Sequence, residues 1–166
     1  NNNTGVNSTI SVSGLNPATV NSATVVGIRL NIAHARVGQL EVRLTSPAGT
    51  SLLLINNRGG NNANFTNTVL VAGGANGNVS AGSVPFTGFY VPEAAFTGFN
   101  SGNINGNWVL NVRDLTNGTT GTLTNWSLIL NTTNNINYNW TGQNLSATNT
   151  QNTTATPTST NNYVVT

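Results

Sequence analysis

The chain has no cysteine, no methionine and no lysine, and only 5% of its 166 residues are charged, against roughly 25% in an average soluble domain. Without cysteine there is no disulfide framework, no thiolate nucleophile and no thiolate metal site. No stretch approaches the roughly 18 consecutive apolar residues that would predict a membrane-spanning helix. Five arginines against three acids give a formal charge of +2 and a pI near 9.7, so the basic pI is a small excess over very little charge. Nucleic-acid surfaces cluster Lys and Arg to neutralise several phosphates, and a nucleic-acid partner is excluded on that ground. His34 is the only histidine; any Ser-His-Asp hydrolase in this chain would have to use it as base.

Amide and hydroxyl groups replace the missing charge. The chain holds 32 asparagines and 26 threonines, yet 37% of it is hydrophobic and it carries Trp, Tyr and Phe. Disordered chains are poor in aromatic and β-branched residues, so a folded domain is predicted. The absence of an initiator methionine or signal pattern before Asn1-Asn2-Asn3, together with this composition, reads as a piece of a longer exported bacterial protein, extracellular or on the cell surface.

Apolar residues recur with period 2, not 3.6. Val26, Ile28, Leu30, Ile32 and His34 share one face, with Gly27, Arg29, Asn31 and Ala33 opposite. Leu40, Val42 and Leu44 alternate with Glu41, Arg43 and Thr45. Trp108, Leu110 and Val112 form a third inward row, and Trp126, Leu128 and Leu130 a fourth. Shorter strands are expected at Thr9 to Val12, Leu52 to Ile55, Thr68 to Val71 and Phe89 to Val91. Turn signals stand between them at Asn16-Pro17, Ser46-Pro47-Ala48-Gly49, Arg58-Gly59-Gly60, Asn76-Gly77, Asn105-Gly106 and Asn117-Gly118. Many short strands broken by Gly, Asn and Pro predict an all-β, antiparallel β-sandwich. The stretch from Asn56 to Glu93 reads mostly as connection, the place where a binding site would sit. Residues 1–131 form the expected sandwich. Residues 132–166 are a Thr/Asn-rich, β-rich extension with few core formers.

Ile32-Ala33-His34, Gly38-Gln39-Leu40 and Leu44-Thr45-Ser46-Pro47-Ala48-Gly49-Thr50 are followed by Pro85-Phe86-Thr87-Gly88 and Tyr90-Val91-Pro92-Glu93. Then come Gly106-Asn107-Trp108 through Asp114, Gly121-Thr122-Leu123 and Asn125-Trp126-Ser127-Leu128. In this order, over roughly residues 5–131, the pattern resembles the P domain (P/Homo B domain) that follows the catalytic domain of subtilisin-like proprotein convertases and recurs in bacterial secreted proteins. The resemblance implies an eight-stranded, jelly-roll-like β-sandwich that stabilises or accompanies a protease without being catalytic. The tail, in Tyr138-Asn139-Trp140, Leu145-Ser146 and Tyr163-Val164-Val165-Thr166, resembles part of an immunoglobulin-like or PKD-like surface repeat. The P-domain family commonly carries Gly-Asp-Leu where this chain has Gly38-Gln39-Leu40, and acids where it has Val71-Ala72-Gly73-Gly74. Those acids would favour calcium.

Candidate chemistry is sparse. His34 lies in phase with an apolar row and reads as a hydrogen-bonded core residue; no catalytic set is expected, and the chain is read as not itself an enzyme. Glu93 and Asp114, with backbone or Asn carbonyls, are the candidate ligands of a weak calcium site; otherwise Asp114 caps a turn, Glu93 pairs with an arginine, and no cofactor is expected. Trp108 and Trp126 read as packing residues. Tyr138, Trp140, Tyr163, Val164 and Val165 form the expected interaction segment, since the tail offers little core to bury them.

Three functions are carried forward. The first is a non-catalytic structural or interaction module of a bacterial surface protein, adhesin or fibre, joined to like subunits or neighbouring domains by β-strand contacts, because edge lysines that block such pairing are missing. The second is an accessory P domain of a secreted subtilisin-like serine protease. The third is carbohydrate binding, with Trp140 stacking on a glycan.

Overall fold

A computed structural model describes residues 2–15, 18–132, 139–149 and 152–166, in two compact units, Asn1–Thr133 and Asn134–Thr166. The first unit contains β1 (Asn2–Val12), β2 (Val25–His34), β3 (Leu40–Thr45), β4 (Ser51–Asn56), β5 (Phe65–Val71), β6 (Phe86–Tyr90), β7 (Gly106–Asp114) and β8 (Gly121–Leu130). Single 3-10 turns at Val37–Gln39, Val79–Ala81 and Phe96–Gly98 are the only helical elements among the described residues. The strands form two four-stranded sheets, ordered β1-β7-β3-β4 and β6-β5-β2-β8. Only the β3–β4 and β5–β6 links stay within one sheet; every other link passes to the opposite layer.

The alternation seen in sequence decides which side chains meet between the layers, because successive strand residues point to opposite faces. Ile28, Leu30 and Ile32 of β2, Leu40, Val42 and Leu44 of β3, and Trp108 and Leu110 of β7 are all buried. Register places Leu44 opposite Leu110 and Val42 opposite Val112, so the β3 and β7 rows share one inner face. Each fully buried aliphatic or aromatic side chain contributes about 1.5–3 kcal/mol relative to exposure. Trp108 is completely buried. It packs edge-on against Phe99 with ring centroids 5.2 Å apart, and its Nε1–H donates to the Ile104 carbonyl at 3.0 Å, so its one polar atom is satisfied. Trp126 differs: it is only half-buried, because β8 is an edge strand, and its Nε1–H donates to Ser8 Oγ on β1 at 2.9 Å.

Turn chemistry follows the sequence at the β3–β4 hairpin. Ser46 Oγ accepts the Thr50 N–H at 3.2 Å, and Gly49, at φ +87°, donates its N–H to the Ser46 carbonyl. That φ favours glycine strongly.

The stretch 56–93 is mostly connection, as expected, but its two strands, β5 and β6, each begin three residues earlier than Thr68 and Phe89; a register shift between Phe65 and Thr68 and positive φ at Asn67 and Gly88 interrupt the alternation that would have marked both strands in full. One expectation is corrected: the sandwich is not wholly antiparallel, because β5 and β6 run parallel. The long link 72–85 supplies the crossover that a parallel pair requires. Thr68, fully buried, ties the pair by donating its hydroxyl to the Phe86 carbonyl at 2.7 Å.

In the second unit, β9 (Trp140–Thr141) and β10 (Val164–Val165) pair antiparallel, and Leu145 bridges Ala155. The Tyr163 hydroxyl donates to the Gln143 carbonyl at 3.1 Å. Tyr138 and the expected turn at Asn16-Pro17 lie outside the described residues.

Candidate functional site

The site is built where two edge strands face each other. β1 and β8 each end a sheet, and a cleft of about 590 Å³ opens between Val6, Asn7 and Ser8 of β1 and Thr122 and Leu123 of β8. Its apolar wall is Ile32, Leu40 and Val112, and its polar groups are His34, Asp114 and the segment Thr119 to Gly121. Asp114 closes β7 directly opposite Leu40, and His34 closes β2 directly opposite Gly121. The strand ends therefore bring together two residues that are 80 positions apart in the chain.

The His34 side chain is 2% exposed. Its Nδ1 accepts the Arg36 N–H at 3.1 Å, so that nitrogen carries no proton and the ring proton lies on Nε2, which faces Asp114 Oδ2 at 3.3 Å. Asp114 Oδ1 accepts the Thr116 N–H at 3.1 Å. Gly121 backs directly onto the ring, and a Cβ there would strike His34 and the Ala33 carbonyl; glycine is needed for closeness, not for its φ. Both imidazole nitrogens are committed, leaving neither to take a proton from a nucleophile as a general base must. The reading of His34 as a hydrogen-bonded core residue agrees with this geometry.

The remaining acids are held by arginines. Glu41, expected on the wet face of β3, is buried instead, because two guanidinium groups cover it: Arg43 Nε and Arg113 Nη1 each approach Oε1 at 2.9 Å. Burial acts to raise the Glu41 pKa, but the hydrogen bonds and charges of Arg43 and Arg113 together hold it below the ordinary glutamate value. Arg113 also donates from Nε to the Asn3 carbonyl and from Nη2 to Asn3 Oδ1, which pins the start of β1. Glu93 pairs with Arg58.

Glu93 and Asp114 thus take different partners, a guanidinium for one and a ring and a backbone amide for the other. Among the described residues no three His, Cys, Asp or Glu stand together as a metal-holding group. Gln39, where the family commonly has Asp, is buried and accepts the Thr119 hydroxyl. In the second unit Trp140 is half-buried and lies opposite Val165. Tyr163 is half-buried against Gly142, while Val164 is 53% exposed. Sequence reasoning missed the cleft itself and its Thr119 to Thr122 rim. The available signal was Gly121, whose lack of a side chain makes room for the His34 ring.

Solved structures similar to this chain include the serine protease of Aeromonas sobria in complex with the chaperone ORF2, at 17% identity and a TM-score of 0.32, over 78% of this chain and 24% of that one. The serine protease of Aeromonas sobria crystallised alone is similar at 16% identity and a TM-score of 0.31, over 79% and 24% of the two chains. The chain therefore spans about a quarter of the length of these proteins. No curated protein matches it. The family model for the proprotein convertase P-domain matches residues 23–130, the segment from the start of β2 to the end of β8, and the chain belongs to that family.

Proposed function

We propose that this chain is the non-catalytic accessory domain of a secreted subtilisin-like serine protease. The observation that carries the reading is the family match across residues 23–130. The His34 geometry supports it, since the only histidine spends both ring nitrogens on Arg36 and Asp114. Deleting residues 1–131 from the full-length parent protein in its producing cell is expected to abolish or sharply reduce secreted protease activity, while the purified chain hydrolyses no peptide substrate. A parent protein with no protease domain, or full activity after the deletion, would overturn the reading.

A second reading, a structural module of a surface protein or fibre, draws on a separate observation. None of the four edge strands β1, β4, β6 and β8 carries a charged residue; the strand charges lie on the central strands β2, β3 and β7. Soluble sandwiches usually guard their edges with charge, and neutral edges favour strand addition. Light scattering with negative-stain microscopy at neutral pH decides it: filaments or ordered oligomers support assembly, and monodisperse monomers rule it out.

A further inference from the structure

The three acids of the chain are treated unequally. Among the described residues, Glu41 is bracketed by Arg43 and Arg113, and Glu93 is paired with Arg58. Among the same residues Asp114 meets no guanidinium, and it accepts hydrogen bonds from the imidazole and the Thr116 N–H. Nδ1 of that ring accepts the Arg36 N–H, so the imidazole offers Asp114 a single N–H, and among the described residues no arginine side chain reaches the carboxylate. The carboxylate is 14% exposed, and it opens into a cleft otherwise lined by Ile32, Leu40, Val112 and Leu123 with a neutral hydroxyl rim. A charge in apolar surroundings is costly unless paired, and each carboxylate oxygen retains acceptor capacity beyond its present bond.

We infer that this cleft binds an arginine side chain presented by an extended polypeptide segment, the guanidinium on Asp114 and the methylene stem along the apolar wall. Arginine joins a fork of donors that matches a carboxylate to a stem that lies well on apolar surface. The guest is a polypeptide because both lips of the cleft are edge strands. Their outer backbone groups can pair with an added strand, and neither lip carries a charged side chain to repel it. This inference goes beyond the accessory-domain reading and holds whichever parent protein supplies the guest.

The test is an amide NMR titration of the ¹⁵N-labelled chain with a blocked pentapeptide bearing arginine between threonine and valine residues. The same peptide with citrulline, which keeps the shape and removes the charge, and free agmatine are the controls. Saturable shifts are expected at Thr116 and at Thr119 to Leu123, with a dissociation constant on the order of 1 mM. Citrulline should weaken binding about ten-fold or more, and so should Asp114→Asn, since hydrogen bonds to charged groups are the stronger ones. Val6→Arg, at a position 56% exposed on the cleft lip, offers a second variant that leaves the core untouched; its own guanidinium should compete with the peptide and abolish the shifts. Equal affinity for arginine and citrulline peptides, unaltered binding in either variant, or no shifts at about 10 mM peptide would overturn the site. Agmatine binding as tightly as the peptide would overturn the polypeptide guest.

Discussion

The sandwich unit and the C-terminal unit are made from the same charge-poor alphabet but are held by different forces. Between the sheets, Ile28, Leu30, Val42, Leu44, Leu54, Leu70 and Trp108 are at most 0% exposed, and the polar residues that enter the core bring partners with them. In the C-terminal unit none of the described side chains is buried. Its order is carried by hydrogen bonds: Thr153 Oγ1 donates to the Ala147 carbonyl and accepts the Ala147 N–H, and Ser146 Oγ accepts the Thr154 N–H. Replacing charge by Asn and Thr therefore has two consequences. Where apolar residues alternate, the amides and hydroxyls stay outside a hydrophobic core; where they do not, side-chain to backbone bonds do the holding, each worth only about 1 kcal/mol net.

The largest expected effect tests the sandwich side of that contrast. Trp108→Ala removes the most voluminous fully buried side chain and leaves the Ile104 carbonyl without its donor; it should cost about 3–5 kcal/mol, seen as a fall in the urea midpoint at an unchanged slope. A smaller loss would mean that the layers can collapse into the cavity.

An intermediate effect probes the one charged network under cover. Glu41→Gln should destabilise by about 1–2 kcal/mol, between exposed and buried pairs, because Arg43 and Arg113 are themselves partly solvated. Since the folded Glu41 pKa lies below the ordinary value near 4.5, its stabilisation is complete above that value and is lost as pH falls through the lower folded value. Denaturant titrations from neutral to acid pH should show this loss in the native chain, and a correspondingly smaller one in the variant. An identical acid limb in both would exclude the network as its source.

The smallest effect belongs to the C-terminal unit. Thr153→Val removes both hydroxyl bonds to Ala147 while keeping the shape, so hydrogen exchange at Ala147 should speed up by about five- to ten-fold, matching roughly 1 kcal/mol. The unfolding midpoint of the sandwich is the internal control. Unchanged exchange at Ala147 would mean that these hydroxyl bonds are not what orders the loop.

Part of the fold is legible at the level of single residues. The rows Ile28-Leu30-Ile32, Leu40-Val42-Leu44 and Trp108-Leu110 are buried as their phase requires, and Gly49 ends a hairpin at a φ that L side chains avoid. Glu41 was less legible: its phase puts it on the outer face, which is where it is, but its burial depends on Arg113 arriving from β7. The site was legible only in fragments. His34 was identifiable as a core histidine and Asp114 as a turn-capping acid, and each reading describes one of the bonds observed. That the two residues meet, and that a cleft opens beside them, follows from which strands become edges.

Strand type, inward faces, the turns at Gly49 and its equivalents, and the family can all be read from the order of residues, because alternation and backbone sterics are local properties. Four features come instead from how the strands assemble: β5 and β6 run parallel, Glu41 is covered, β1 and β8 are left unpaired on one side, and Asp114 faces an imidazole instead of a guanidinium. These depend on contacts between residues far apart in the chain, and a period of two says which face a side chain takes without saying which strand will lie beside it.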